Sequence, residues 1–310
     1  MHAARIGLAI SAFTACFIQA QTNPLWHEQK IKNYLPHMTW PEVQDLLSRT
    51  DMVIIPVASI EEHGPQLPIG TDYLAGQERA KLIAQKTDVL VAPILLPGIS
   101  PYHMEFPGTI TLSHDTVQRV YFEAAQSLIR HGFRRFLILN SHGGNQVVSR
   151  YVADRINQET PAVAVELNEA VAPLLTRARP RQTQFDRHAG VGETSSGLYL
   201  FPNLVDMTKA GKNDLTLPDH LNKILPQVVE GDPTATEIFL AEGLKPKETR
   251  KHTSTREMTK TGVWSERDTR EASADRGRDE TESFVAAAVR FIERWKLLKP
   301  LEPLATRLGQ

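Results

Sequence analysis

The stretch Glu61-Glu62-His63-Gly64-Pro65, with Asp72 nine residues beyond His63, brings three carboxylates and an imidazole into one short segment. Carboxylate oxygens and a neutral imidazole nitrogen form a ligand set for Zn²⁺, Mn²⁺ or Fe²⁺, and a cation held this way serves hydrolysis by lowering the pKa of water. Taken alone, the spacing fits a metal site or a solvated acidic turn. Two later stretches, Asn140-Ser141-His142-Gly143-Gly144-Asn145 and His188-Ala189-Gly190-Val191-Gly192-Glu193-Thr194-Ser195, offer further ligands of the same kind.

These residues need rigid supports, and the pattern from residue 51 onward supplies them. Met52 to Val57, Val89 to Leu96, Phe136 to Leu139 and Ala162 to Val165 are short, near-continuous apolar runs, which suit strands covered on both faces. Helical stripes alternate with them. After the N-cap residue Ser113, the positions Val117, Val120, Tyr121, Ala124, Ala125, Leu128 and Ile129 share one face, and His131-Gly132 ends the stripe. Other helices are expected after Thr71-Asp72, after Gly144-Asn145, and over Phe284 to Trp295. Strands alternating with helices predict an α/β domain, three-layer α/β/α with a mostly parallel central sheet. Ligands gather at the carboxyl ends of such strands, and Glu61, His63 and His142 lie just past two of them. Residues 208 to 236 and 244 to 282, polar and broken by prolines and glycines, read as loops or insertions.

The chain has 310 residues, 41% of them hydrophobic, and a formal net charge of -1. That is enough for a sizeable core and gives no electrostatic case for nucleic acid or an anionic membrane. The basic residues of Lys245 to Arg256 are interrupted by acidic residues and threonines and read as a solvated loop. At the N-terminus, His2 and Arg5 precede the apolar run Ile6 to Ile18 and the small residue Ala20. This order predicts a signal peptide over residues 1-20, a secreted or periplasmic location and a single domain over 21-310. The run is too short for a membrane span, which takes about 20 residues. The only cysteine, Cys16, lies inside it, with lipoprotein processing as the alternative. A mature chain without Cys16 has no thiolate, so its metal sites are built from His, Asp and Glu.

The motifs together resemble the creatininase (creatinine amidohydrolase) family. The resemblance runs from Ile60 to Asp72, through His103 and Phe106-Pro107-Gly108-Thr109, Asn140 to Asn145 and His188 to Ser195, to Thr261-Gly262-Val263-Trp264. It implies a metal-dependent amidohydrolase that cleaves a C–N bond of a small amide or lactam with a water activated by two divalent ions, Zn and/or Mn or Fe, and a homo-oligomer, often a hexamer. Carried over by position, Glu61 and His142 hold one metal, His63 the other, and Asp72 bridges them. Glu193 is the expected further ligand, with Glu62 as a competing carboxylate. Creatininase carries a Glu two residues after the histidine matching His142, where this chain has Gly144. His188 matches a substrate-side histidine and is the catalytic candidate. His103, Gly143 and Gly144 are substrate-side candidates, the glycines as backbone donors to an anionic intermediate or as a tight turn. Gly143, Gln184, Arg187 and Val191 depart from the creatinine-binding pattern, so the resemblance does not imply creatinine as substrate. The alternative is a family member that binds metal without catalysis, as a binding or assembly module.

Overall fold

Met52–Val57 has no polar position to turn toward water, and as strand β1 it is buried along its whole length. Each fully buried side chain of this size contributes about 1.5–3 kcal/mol, which anchors the loop that follows. The computed structural model describes residues 23, 25, 27–175, 184–243, 245 and 254–309. The expected signal peptide with Cys16, and most of the 245–256 stretch, lie outside them. Residues Met1–Lys30 and Ile31–Gln310 are two compact units; all elements below belong to the second.

Four parallel strands form the central sheet in the order β2-β1-β3-β4, with β2 at Leu90–Val91, β3 at Arg135–Asn140 and β4 at Val163–Glu166. Helix α1 is Trp40–Leu47, α2 Thr71–Thr87, α3 His114–Arg130, α4 Gln146–Glu159, α5 Leu167–Val171, α6 Val191–Leu200 and α7 Ala274–Leu298. Side chains alternate along the strands. Val53, Ile55, Val57, Phe136 and Ile138 pack on one face with α1, α3 and α4. Met52, Ile54, Leu137 and Leu139 pack on the other with α2, α5 and α7. This is the expected α/β/α layering.

The chain leaves β1 through α2 on one face to reach β2, then returns through α3 on the opposite face to β3. The crossovers therefore diverge between β1 and β3, the point at which parallel sheets open a crevice beyond their carboxyl ends. Ser113 Oγ accepts from the Thr116 amide at 3.3 Å and caps α3, as its sequence predicts.

Two expectations change. The 89–96 strand shortens to Leu90–Val91, because Pro93 and Pro97 cannot donate to a ladder. The 208–236 segment and the described residues of 244–282 are more ordered than loops. They contain helices at Asp219–Asn222, Leu225–Glu230 and Pro233–Gly243, and α7 begins within the second segment. Pro218, Pro226 and Pro233 sit at helix starts, where the missing N–H costs nothing. Leu221, Leu225, Val228 and Phe239 bury against Phe185, Met258 and Trp264 in a small core of their own. Charged neighbours dilute that apolar pattern in the sequence. Phe185 and Trp264 flank or belong to an antiparallel ribbon of β5, Asp186–His188, and β6, Trp264–Ser265. No helix among the described residues is long and apolar enough to cross a membrane.

Candidate metal centre

The loop after β1 is fixed at both ends. The Glu61 amide donates to the Ile69 carbonyl at 3.1 Å, and the Glu62 amide donates to Thr109 Oγ1 at 3.1 Å. Asn145, fully buried, ties this loop to its neighbours. Its Nδ2 donates to the Ala58 carbonyl, and its Oδ1 accepts from the Ile99 amide, both at 3.0 Å. Three connections past the strand ends are thereby held together by one amide. Asp72 lies in the first turn of α2, where a carboxylate is favoured by the helix dipole, and Ser59 Oγ donates to its Oδ2 at 3.0 Å.

Around Asp72 two ligand groups form. His142 Nδ1 lies 3.0 Å from Asp72 Oδ2 and 3.2 Å from Glu61 Oε1. His63 Nε2 lies 3.4 Å from Asp72 Oδ1 and 3.7 Å from Glu193 Oε2. Glu61/Asp72/His142 and His63/Asp72/Glu193 each bring three donor atoms within 4.8 Å of one another. Asp72 belongs to both and turns a different oxygen to each.

The histidine tautomers follow from their partners. His63 Nδ1 faces the Glu61 carbonyl at 3.1 Å, and His142 Nε2 faces the Ile99 carbonyl at 3.0 Å. A carbonyl only accepts, so those nitrogens carry a proton, and His63 Nε2 and His142 Nδ1 are the nitrogens left to ligate once a cation displaces the proton that the carboxylates otherwise hold there. His63 Nε2 and Glu61 Oε2 are buried without a hydrogen-bond partner. Unpartnered buried donor atoms aimed into carboxylate-lined space suit a divalent cation.

His188 and His103 adjoin this centre. His188, carried by β5, has its ring centroid 4.4 Å from His63. His103, a substrate-side candidate, is buried at 3% exposure. Glu62 does not turn outward. Its Oε1 lies 2.9 Å from His103 Nδ1 and 3.3 Å from His188 Nε2.

Position 144 explains why the carboxylate creatininase places there is absent. A Cβ on Gly144 would collide with the Ile99 carbonyl, the Tyr102 hydroxyl and His142 Nε2. That space is taken by the contacts that orient His142, including Tyr102 Oη at 3.1 Å. Gly144 is thus a packing glycine, whereas a Cβ on Gly143 would meet open space. Glu193 approaches from α6 instead. Asp186 accepts from the amides of Val191 at 2.9 Å and Gly192 at 3.3 Å, capping the start of α6 and aiming its first turn. Asp186 was not legible in the sequence, because it lies five residues before the helix start and not at the N-cap, where a capping side chain is sought. We predict that Gly144→Glu supplies no ligand. It destabilises the fold by about 1–3 kcal/mol, the usual cost of overpacking, and lowers metal content. Urea denaturation and elemental analysis check both; a stable variant with full metal content contradicts it.

Four carboxylates and four imidazoles share this largely buried space. Burial pushes the Glu61 carboxyl up, but His142 and His103 outweigh it and hold it well below its usual range. Asp72 is similarly lowered to about 2, burial being outweighed by His63 and His142. Burial lowers His63, but Asp72, Glu193 and Glu61 raise it to about 10. His142 is raised well above its usual value against burial by Glu61 and Asp72. Burial raises Glu193. Without a metal, His63 and His142 therefore hold protons that offset the carboxylates, whereas burial lowers His103.

A three-layer α/β/α fold with a carboxylate–imidazole cluster at its switch point defines the architectural class. The family model described as creatininase, creatinine amidohydrolase, matches residues 36–292, and the chain belongs to that family. A 3-dehydro-scyllo-inosose hydrolase of Thermotoga maritima is 32% identical over 180 residues, 56% of this chain and 57% of that protein. A creatinine amidohydrolase of Pseudomonas putida is 27% identical over 197 residues, 57% of this chain and 75% of that protein. A crystal structure of creatininase shares the fold with a TM-score of 0.65 at 21% identity, covering 87% of this chain and 99% of that one. A creatininase mutant of Zn–Zn type and a manganese creatininase have also been solved, with a TM-score of 0.63 for each.

Proposed function

We propose that the chain is a metal-dependent amidohydrolase that cleaves a C–N bond of a small amide or lactam. The observation that carries this reading is Asp72, whose two oxygens face two separate imidazole–carboxylate groups. In this reading Glu61, Asp72 and His142 hold one divalent ion, and His63, Asp72 and Glu193 the other, with Zn or Mn as occupant. When bound, such a pair lowers the pKa of water and polarises the scissile carbonyl.

The chain's own residues do the rest. Asp72 fixes the spacing of the two groups, and the Ile99 and Glu61 carbonyls keep His142 and His63 in their ligating tautomers. His188 Nδ1 lies 3.7 Å from Glu61 Oε1, where it can take the proton that the attacking water releases and then pass it to the departing nitrogen. Tyr102, His103 and Trp264 place aromatic rings beside it.

The test is elemental analysis paired with a panel of amides, lactams and an inosose, the last because a relative acts on one. Two equivalents of metal per chain and amide turnover that a chelator abolishes are expected. Bound metal with no turnover across the panel would favour a binding module instead. We also propose export through residues 1–20 and assembly into a homo-oligomer. Both rest on the sequence and family resemblance, and fractionation and sedimentation of the expressed chain test them.

A further inference from the structure

Glu62 is not needed by either ligand group, yet it is buried and held on several sides. Its Oε2 accepts from the Gly64 amide at 3.0 Å. Gly262, at φ +89°, passes so close that a Cβ there would overlap the carboxylate. Position 262 thus suits glycine for two independent reasons, and both keep Glu62 in place. Its Oε1, buried without a hydrogen bond of its own, lies within ion-pair distance of two imidazoles whose centroids are 4.3 Å apart.

The two rings mirror each other chemically. His103 turns Nδ1 to Glu62 and Nε2 toward Glu61 Oε1, 3.7 Å away. His188 turns Nε2 to Glu62 and Nδ1 toward the same Glu61 oxygen, also at 3.7 Å. A carboxylate oxygen 2.9 Å from a ring nitrogen repels a lone pair, so the proton of His103 sits on Nδ1. The Thr255 hydroxyl, 2.8 Å from that nitrogen, then accepts from it or turns away. For His188 the Glu62 backbone carbonyl, 2.8 Å from Nε2, fixes the tautomer independently of the side chain.

We propose that Glu62 is a positioning residue that fixes the tautomer of His103 and the ring setting of His188, so that both turn their second nitrogen to the substrate space beside Glu61. This rests on the hydrolytic reading of the centre. It gives the substrate space a pair of imidazole acceptors, suited to the N–H groups of an amide or to the proton released by the attacking water, rather than His188 alone. The same arrangement gives Glu62 a role that neither metal group requires.

The test uses the full, zinc-loaded chain labelled with ¹⁵N at histidine, read by long-range ¹H–¹⁵N correlation. In the wild type His103 carries its proton on Nδ1 and His188 on Nε2. In Glu62→Gln the new amide can donate, so His103 loses its fixed form and averages between tautomers. His188 keeps Nε2–H through the backbone carbonyl, and zinc content stays the same. General disruption would move both rings. Thr255→Val leaves Glu62 as the only fixed partner of His103 Nδ1, so the wild-type tautomer persists there. The proposal is overturned by His103 bearing its proton on Nε2 in the wild type or in Thr255→Val, or by an unchanged His103 in Glu62→Gln. A third equivalent of zinc that is lost with Glu62 also overturns it, since Glu62, His103 and His188 are close enough to share an ion. With an amide that the wild type turns over, Glu62→Gln lowers kcat by about 100-fold while KM moves little. If no amide is turned over, the functional reading fails, and the tautomer measurement still decides this one.

Discussion

Replacing Asp72 with alanine is expected to remove both of the divalent ions proposed for this centre, whereas replacing Glu193 with alanine is expected to remove one. Asp72 gives Oδ2 to the His142 group and Oδ1 to the His63 group, so its loss strips a ligand from each. Outer partners of metal ligands are worth about 10–100-fold in affinity, and a shared ligand exceeds that, so we expect a loss of more than about 100-fold at both positions. Glu193 belongs only to the His63 group, its Oε2 also accepting from the Ala189 amide at 2.6 Å, and in Glu193→Ala the Glu61/Asp72/His142 group is expected to keep its cation. Amide turnover falls in both variants because activating water and polarising the carbonyl use the pair. Elemental analysis of dialysed protein reads the stoichiometry. One retained equivalent in Asp72→Ala, or two in Glu193→Ala, rules out the bridging assignment.

Metal removal should also invert the pH dependence of stability. In the metal-free chain His63 is raised to about 10 and His142 is raised as well, because carboxylates surround both. A raised folded pKa contributes stability that is complete below the unfolded value near 6.5 and is lost as pH climbs through the folded value. The Tm of chelator-treated protein therefore falls between about pH 7 and pH 10 as His63 loses its proton. A cation must displace the same protons, so uptake at neutral pH releases about two per chain and tightens as pH rises. At free metal about 1,000 times Kd, each site adds about 4 kcal/mol, so the gap between loaded and metal-free Tm widens toward alkaline pH. Calorimetric titration in buffers of different ionisation enthalpy counts the protons. A metal-free Tm that rises over this range, or uptake without proton release, contradicts the electrostatics described above.

Much of the centre was legible in order along the chain. Apolar runs at 52–57 and 136–139 announced strands, and polar ligands just past their ends announced a crevice, because parallel sheets leave room only there. Ser113 and Gly132 marked the limits of α3 through local chemistry alone. The 208–243 helices were not legible, since their apolar positions are widely spaced and their prolines resemble breaks until their place at helix starts is seen. Glu62 was ambiguous for a related reason. Adjacent residues in a loop have no periodicity to say which way each points, and only the packing of Gly262 and the two imidazoles decides it.

The sequence by itself determined the ligand types, their supports and the family, because these depend on residue identity and short-range pattern. The absence of cysteine beyond Cys16 likewise confined the donors outside that segment to His, Asp and Glu. Tertiary structure alone decided which carboxylate faces which imidazole. Glu193 lies more than a hundred residues from His63 and reaches it through a helix start that Asp186 caps. Gly144 excludes a side chain because Ile99, Tyr102 and His142 converge on it. Those choices depend on where distant loops meet, and steric exclusion and hydrogen-bond direction settle them once the chain is folded.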